Sequence, residues 1–192
     1  MAFTSKEVTD VNTLRALAHP LRVRLLGALR LEGPSTASEL GRRFGESSGS
    51  PSYHLRQLER FGFVVEDDEQ PSRRERRWRA AHDVTTLRAA DFVDEDAARE
   101  ALSVLEQQQL RFIVGTVQSW YRERQSWPRE WVNAADQSDL HLRLRPGDLA
   151  KLNEELLAVV QRWIGNQRPP DDPGARLVSV YLLGIPRTAV DL

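Results

Sequence analysis

The sequence predicts an α+β chain: a mainly helical first part closed by a β-hairpin, then a long helix and a β-α-β unit. Three observations lead there. Apolar residues recur at three- and four-residue steps in four short stretches before residue 62. Two short runs, Phe63 to Val65 and Arg77–Ala80, flank the polar segment EDDEQPSRRE, which is too hydrophilic to bury. Beyond residue 90, a proline-free helical pattern precedes two strand-like runs that flank a further helix.

In order, Val11, Leu14, Leu17 and Ala18 mark a first helix that stops at His19-Pro20. Pro20 is suited to open the second helix, because its missing N–H is not needed there. Leu21, Val23, Leu25, Leu26 and Leu29 form its apolar set, and Gly33-Pro34 ends it. Ser35 is the expected cap of a third helix, with Ala37, Leu40 and Phe44 inward and Gly45 as its stop. A fourth helix follows Pro51, with Leu55, Leu58 and Phe61 on one face, and ends at Gly62. Two helices joined by a tight glycine-containing turn and followed by a hairpin describe a winged helix-turn-helix.

Residues 94–125 read as one long helix whose apolar face includes Leu102, Leu105, Phe112, Ile113 and Val117. Leu140, Leu142 and Leu144 alternate with polar residues as in a strand, Pro146 opens another helix, and residues 177–185 read as a second strand. The expected division is therefore 1–90 and 91–192.

Composition limits the function. The chain has 192 residues, a net charge of −1 and no cysteine, which excludes disulfides, a cysteine nucleophile and a thiolate metal site. Its longest apolar run, 177–185, is under half a membrane span, and the N-terminus lacks a secretory pattern, so a cytoplasmic protein without membrane contact is expected. The charge divides unevenly, +3 over 1–90 and −4 over 91–192. Of the basic residues only Lys6 and Lys151 are lysines; this arginine bias runs through both halves and reads as genome composition.

His19, His54, His82 and His141 have no second ligand at helical spacing, and His82-Asp83 near Asp91 and Asp94 reads as a hinge rather than a metal site. There is neither a nucleophile elbow nor a glycine-rich phosphate loop. No catalytic residue, metal or cofactor is expected. Trp120, Trp127, Trp131 and Trp163 either form core or line a small-molecule effector pocket.

The run HPLRVRLLGALRLEGPSTASELGRRFGESSGSPSYHLRQLERFGFVVE, with the returning strand RRERRWRA, resembles the ArsR family of bacterial transcriptional regulators over about residues 10–82. The matching pieces are HPLRVRLL, S-x-x-x-L before the turn, and S-x-H-L-x-x-L-x-x-x-G-x-V. Two features depart from the pattern. Pro51 is tolerable only in the first turn of its helix, and ASEL replaces the cysteine pair that senses metals in founding members.

The resemblance implies a homodimeric regulator of double-stranded DNA, usually a repressor, released in some members by an effector. It makes the fourth helix the recognition helix. Ser48, Ser50, Ser52, Tyr53, Arg56, Gln57 and Arg60 are then the expected DNA contacts. His54 suits DNA contact and packing equally. In the wing, Arg73, Arg74 and Arg76 are expected at phosphates or the minor groove, unless Glu66, Asp67, Asp68, Glu69 and Glu75 neutralise the arginines locally. Trp78 is expected in the wing core. Leu102, Leu105, Phe112, Ile113 and Val117 are the expected dimerisation residues. The competing reading is a winged-helix module that binds a protein partner and never touches DNA, which weak salt dependence would reveal.

Overall fold

Short-range capping fixes the helices of the first compact unit, residues 4–115. The computed structural model describes residues 4–47, 49–68, 75–135, 138–169 and 171–187. Strand β1 (Ser5–Val8) leads into α1 (Val11–Leu17), whose N-cap Asp10 accepts from the Thr13 N–H at 2.9 Å. Helix α2 (Pro20–Glu32) starts with Pro20 and is capped by His19, whose Nδ1 accepts from the Leu21 N–H at 3.2 Å.

Strand β2 (Ser35–Thr36) precedes α3 (Ala37–Phe44). The cap of α3 is Thr36 and not Ser35. Thr36 Oγ1 accepts from the Glu39 N–H at 3.2 Å, while the Glu39 carboxylate accepts from the Thr36 N–H at 2.8 Å. Ser35 is displaced because it pairs with Trp78 in the sheet, while its hydroxyl donates to Glu39.

Gly45 ends α3 with φ of 68°, a left-handed conformation that glycine adopts without strain. Helix α4 (Gly49–Arg60) follows, with Pro51 in its first turn, where proline displaces no intrahelical bond. Strands β3 (Val64–Glu66) and β4 (Arg77–Ala80) form the wing, with Val64 opposite Ala80 and Val65 opposite Arg79. Together with β2 they make an antiparallel sheet of order β2-β4-β3.

A second, parallel sheet pairs β1 with β5 (Val84–Leu87), Ser5 opposite Val84 and Val8 opposite Leu87. Asp83 locks its start by accepting from both the Thr4 N–H (2.7 Å) and the Thr4 hydroxyl (2.8 Å). Arg30 of α2 reaches the same place, donating to the His82 carbonyl at 3.0 Å and the Thr85 hydroxyl at 2.8 Å.

After a 3₁₀ turn (Ala89–Phe92) comes α5 (Asp96–Glu123). Its first turns belong to the core: Ala98, Ala101 and Leu102 are buried in one cluster with Leu14, Leu25, Leu55, Leu58, Phe63, Trp78 and Phe92. The first compact unit therefore extends past residue 90 to Gly115.

The second unit comprises residues from 116 onward. It holds a 3₁₀ turn (Arg124–Ser126), α6 (Arg129–Ala134) and α7 (Pro146–Gly165), which starts at Pro146 as expected. The β-α-β reading needs correction at its strands. Among the described residues, neither 140–144 nor 177–185 takes part in a ladder. Period-2 alternation assigns faces to a strand, but a strand also needs a neighbouring backbone to bond. The alternating leucines stay open to solvent instead, Leu140 at 81%. Contacts of another kind hold the second segment: Gly184 lies against Leu149 and Asn153 of α7, and Arg187 reaches His141 Nε2 at 3.0 Å.

Candidate nucleic-acid interface

Leu55 and Leu58 anchor α4 in the core, with Pro51 beside them. At 100° per residue, this inward face sends Tyr53, Arg56 and Arg60 to the opposite side. All three are exposed, Tyr53 at 60%. Among the described residues Arg56 and Arg60 have no carboxylate partner, so two guanidinium groups stand ready for an acceptor. The Arg60 head also lies 5.9 Å from the Phe61 ring centroid. Ser50 is half-buried and its hydroxyl approaches Glu46 at 3.4 Å; Ser52 is also half-buried, while Ser48 lies outside the described residues.

Gln57 and His54 sit on the flank of α4 that meets α1 and α2. The His54 ring packs against that of His19, tilted by 35° with centroids 4.2 Å apart, and Tyr53 meets it edge-on at 5.1 Å. Its Nδ1 is buried without a hydrogen-bond partner. Burial, then the charges of His19 and Arg22, hold the His54 pKa below its ordinary value, against a weaker pull from Glu46. Burial followed by Arg22 does the same to His19. The structure thus places His54 in the packing between α2 and α4. Sequence gave no hint of its partner, because 35 residues separate the two rings along the chain.

In the wing, Trp78 is buried as expected. Arg76 pairs with Glu66 at 2.8 Å, and Arg77 and Arg79 approach Asp67 at 3.6 and 3.9 Å. Arg77 also donates to the Pro34 carbonyl at 3.0 Å, tying the wing to the end of α2. Local carboxylates therefore meet these three arginines. Arg73 and Arg74 lie outside the described residues.

Of the expected dimerisation residues, Leu102 lies in the core of its own chain and Leu105 packs against that core, because the first turns of α5 close the first unit. Phe112 is exposed, and Ile113 and Val117 are half-buried. A second apolar stripe of α5 shares Val117 with that set: Leu110, Val114, Val117 and Tyr121 recur at 4-3-4 spacing along one face, with Leu110, Val114 and Tyr121 exposed. Leu110 is 60% exposed. Leu110 and Val114 lie outside the single broad face read from the sequence.

Trp120, Trp127 and Trp131 meet edge to face, with centroids 5.9 and 6.2 Å apart, whereas Trp163 is 72% exposed. Three of the four tryptophans therefore form one aromatic row. Among the described residues, no three His, Asp or Glu side chains are arranged to hold a metal ion. The Asp83 carboxylate is committed to Thr4. No helix among these residues is long and apolar enough to cross a membrane.

No curated protein matches the chain. Among solved structures, it is similar to the transcriptional regulator Tm0710 from Thermotoga maritima, with 15% identity, 78% of this chain and 80% of that one covered, and a TM-score of 0.32. It is also similar to a disulfide-formed AbfR, with 18% identity, 55% and 71% coverage, and a TM-score of 0.28. A family described as a helix-turn-helix domain matches residues 17–67, which hold α2, α3, α4 and β3. With β4 completing the hairpin, the chain contains a winged helix-turn-helix domain.

Proposed function

We propose that this protein is a sequence-specific, DNA-binding transcriptional regulator of ArsR type, acting as a homodimeric repressor on an inverted-repeat operator. The observation that carries the reading is the outer face of α4. There, Tyr53, Arg56 and Arg60 project from a helix whose other face is fixed in the core, within a domain of helix-turn-helix type. Such a helix places side chains at base edges in the major groove, and Arg matches the guanine O6 and N7 pair. Arg73 and Arg74, which fall between β3 and β4 in the sequence, are assigned to the flanking backbone.

Dimerisation is assigned to α5 beyond Leu105, where the stripe of Leu110, Val114, Val117 and Tyr121, with Ile113 on its flank, is the surface for a second copy; Phe112 lies on the opposite side of the helix. Two coupled winged helices bind an operator more tightly than one by roughly 10²- to 10⁴-fold. Selection of bound sequences from a random DNA pool, followed by titration at several salt concentrations, tests the reading. A two-fold symmetric consensus with a steep salt slope supports it. Binding without sequence preference overturns the operator reading, and the absence of a salt slope overturns it in favour of protein docking.

A further inference from the structure

A cleft of about 500 Å³ opens where α1, α2 and α4 meet, on the flank of the recognition helix. Asn12 and Arg15 come from α1, Arg22 from α2, and Gln57 and Arg60 from α4, with Phe61 closing one side. The chemistry of this lining is one-sided. It holds three guanidinium groups and two carboxamides, and no carboxylate. Among the described residues none of these three arginines has an ion-pair partner.

Arg22 is the most informative of the three. It is half-buried, its Nε is shut from solvent without a hydrogen-bond partner, and its Nη2 reaches only the Arg15 carbonyl, at 3.5 Å. Withdrawing a guanidinium from water without a counter-charge is unfavourable. A bound anion offsets this cost, and planar N–H forks suit the oxygens of phosphate and carboxylate.

We infer that this cleft binds a small, multiply charged oxyanion, a phosphate- or carboxylate-bearing metabolite, through Arg15, Arg22 and Arg60. Gln57 and Asn12 supply neutral donors at its edges. Because Arg60 also belongs to the outer face of α4, an occupied cleft withdraws one cation from the DNA-facing set. Oxyanion binding and DNA binding are then antagonistic, which by linkage works in both directions. This regulatory part rests on the DNA-binding reading above; the anion site itself does not.

The test uses the full chain without DNA. Its thermal midpoint is followed against inorganic phosphate, and separately citrate, with chloride holding ionic strength constant. Saturable stabilisation by either oxyanion is expected, as for any ligand that binds only the folded state. Arg22→Gln and Arg60→Gln should each weaken it by roughly tenfold or more, the loss of one charged hydrogen bond. Arg42→Gln, on exposed α3, should leave it unchanged. In chloride alone, Arg22→Gln should melt no lower than the parent, since it removes an unpaired charge. A purely structural Arg22 would melt lower when changed, and that result overturns the assignment. So does the absence of saturation with both oxyanions, or its survival in both cleft variants. A third overturning result is a variant that leaves the oxyanion response intact yet lowers the salt slope for DNA by about one unit, which would make the cleft a contact for DNA phosphates.

Discussion

The imidazole rings of His19 and His54 lie 4.2 Å apart, joining the cap of α2 to α4. Both are held below the ordinary histidine value near 6.5, first by burial and then by neighbouring positive charge, with Arg22 facing both. The folded form therefore binds fewer protons than the unfolded form just below that value. This stability is fully present above about pH 6.5 and falls as the pH drops toward the lowered folded values. Thermal midpoints measured across that window should decline on acidification. His54→Gln should flatten the decline, and an unchanged slope would dissociate the ring pair from it.

The second prediction concerns Arg30. Burial lowers its pKa to about 10, so it stays charged near neutrality, holding the His82 carbonyl and the Thr85 hydroxyl. Arg30→Met leaves those acceptors without their donor and should cost about 1–3 kcal/mol. Urea denaturation measures the loss, and amide exchange in β5 should rise ahead of exchange in α4.

The helices were legible in the sequence because their boundaries are local. Pro20, Gly45 and Gly62 act within a turn of themselves, and Leu55 and Leu58 declare the inner face of α4. What escaped was non-local. Ser35 looks like a cap until Trp78 is paired with it, a contact formed 43 residues later. SKEV shows no apolar alternation, so nothing marked it as a strand before VTTL was known to lie beside it. The stripe of α5 rotates after Leu105, from a face buried against its own core to one that remains open. Composition along the helix does not reveal that rotation, because both faces are apolar. The strand-like runs around α7 have the opposite failing: their pattern is plain and their ladder is absent.

A third prediction addresses base readout. Arg56→Ala should cost about 1–3 kcal/mol of discrimination at one operator position while leaving affinity for random DNA nearly unchanged. Competition binding with operator variants measures this. Equal losses on every sequence would reassign Arg56 to the phosphate backbone.

The fourth prediction separates folding from assembly. A fragment ending at Gly115 should fold, because it retains Phe92, Ala98, Ala101 and Leu102. A fragment ending at Ala90 loses all four, and burial of Phe92 alone is worth about 3–5 kcal/mol, so it should melt far lower. In the full chain, Leu110→Asp with Val114→Asp should give a monomer by sedimentation with an unchanged far-ultraviolet spectrum. A variant that remains dimeric would move the dimer interface off α5.

The pairing of β1 with β5 has a consequence for how the protein is made. A chain leaves the ribosome from its N-terminus, and Thr4 finds Asp83 only after 79 further residues have been added. At ordinary synthesis rates that interval is about 4–16 s. Parallel strands need a crossover between them, and here the crossover is the whole helix-turn-helix with its wing. During the delay β1 presents an open strand edge to every neighbouring nascent chain. Slow codons before Val84 would prolong that exposure, making the yield of folded protein sensitive to synonymous changes that leave every residue in place.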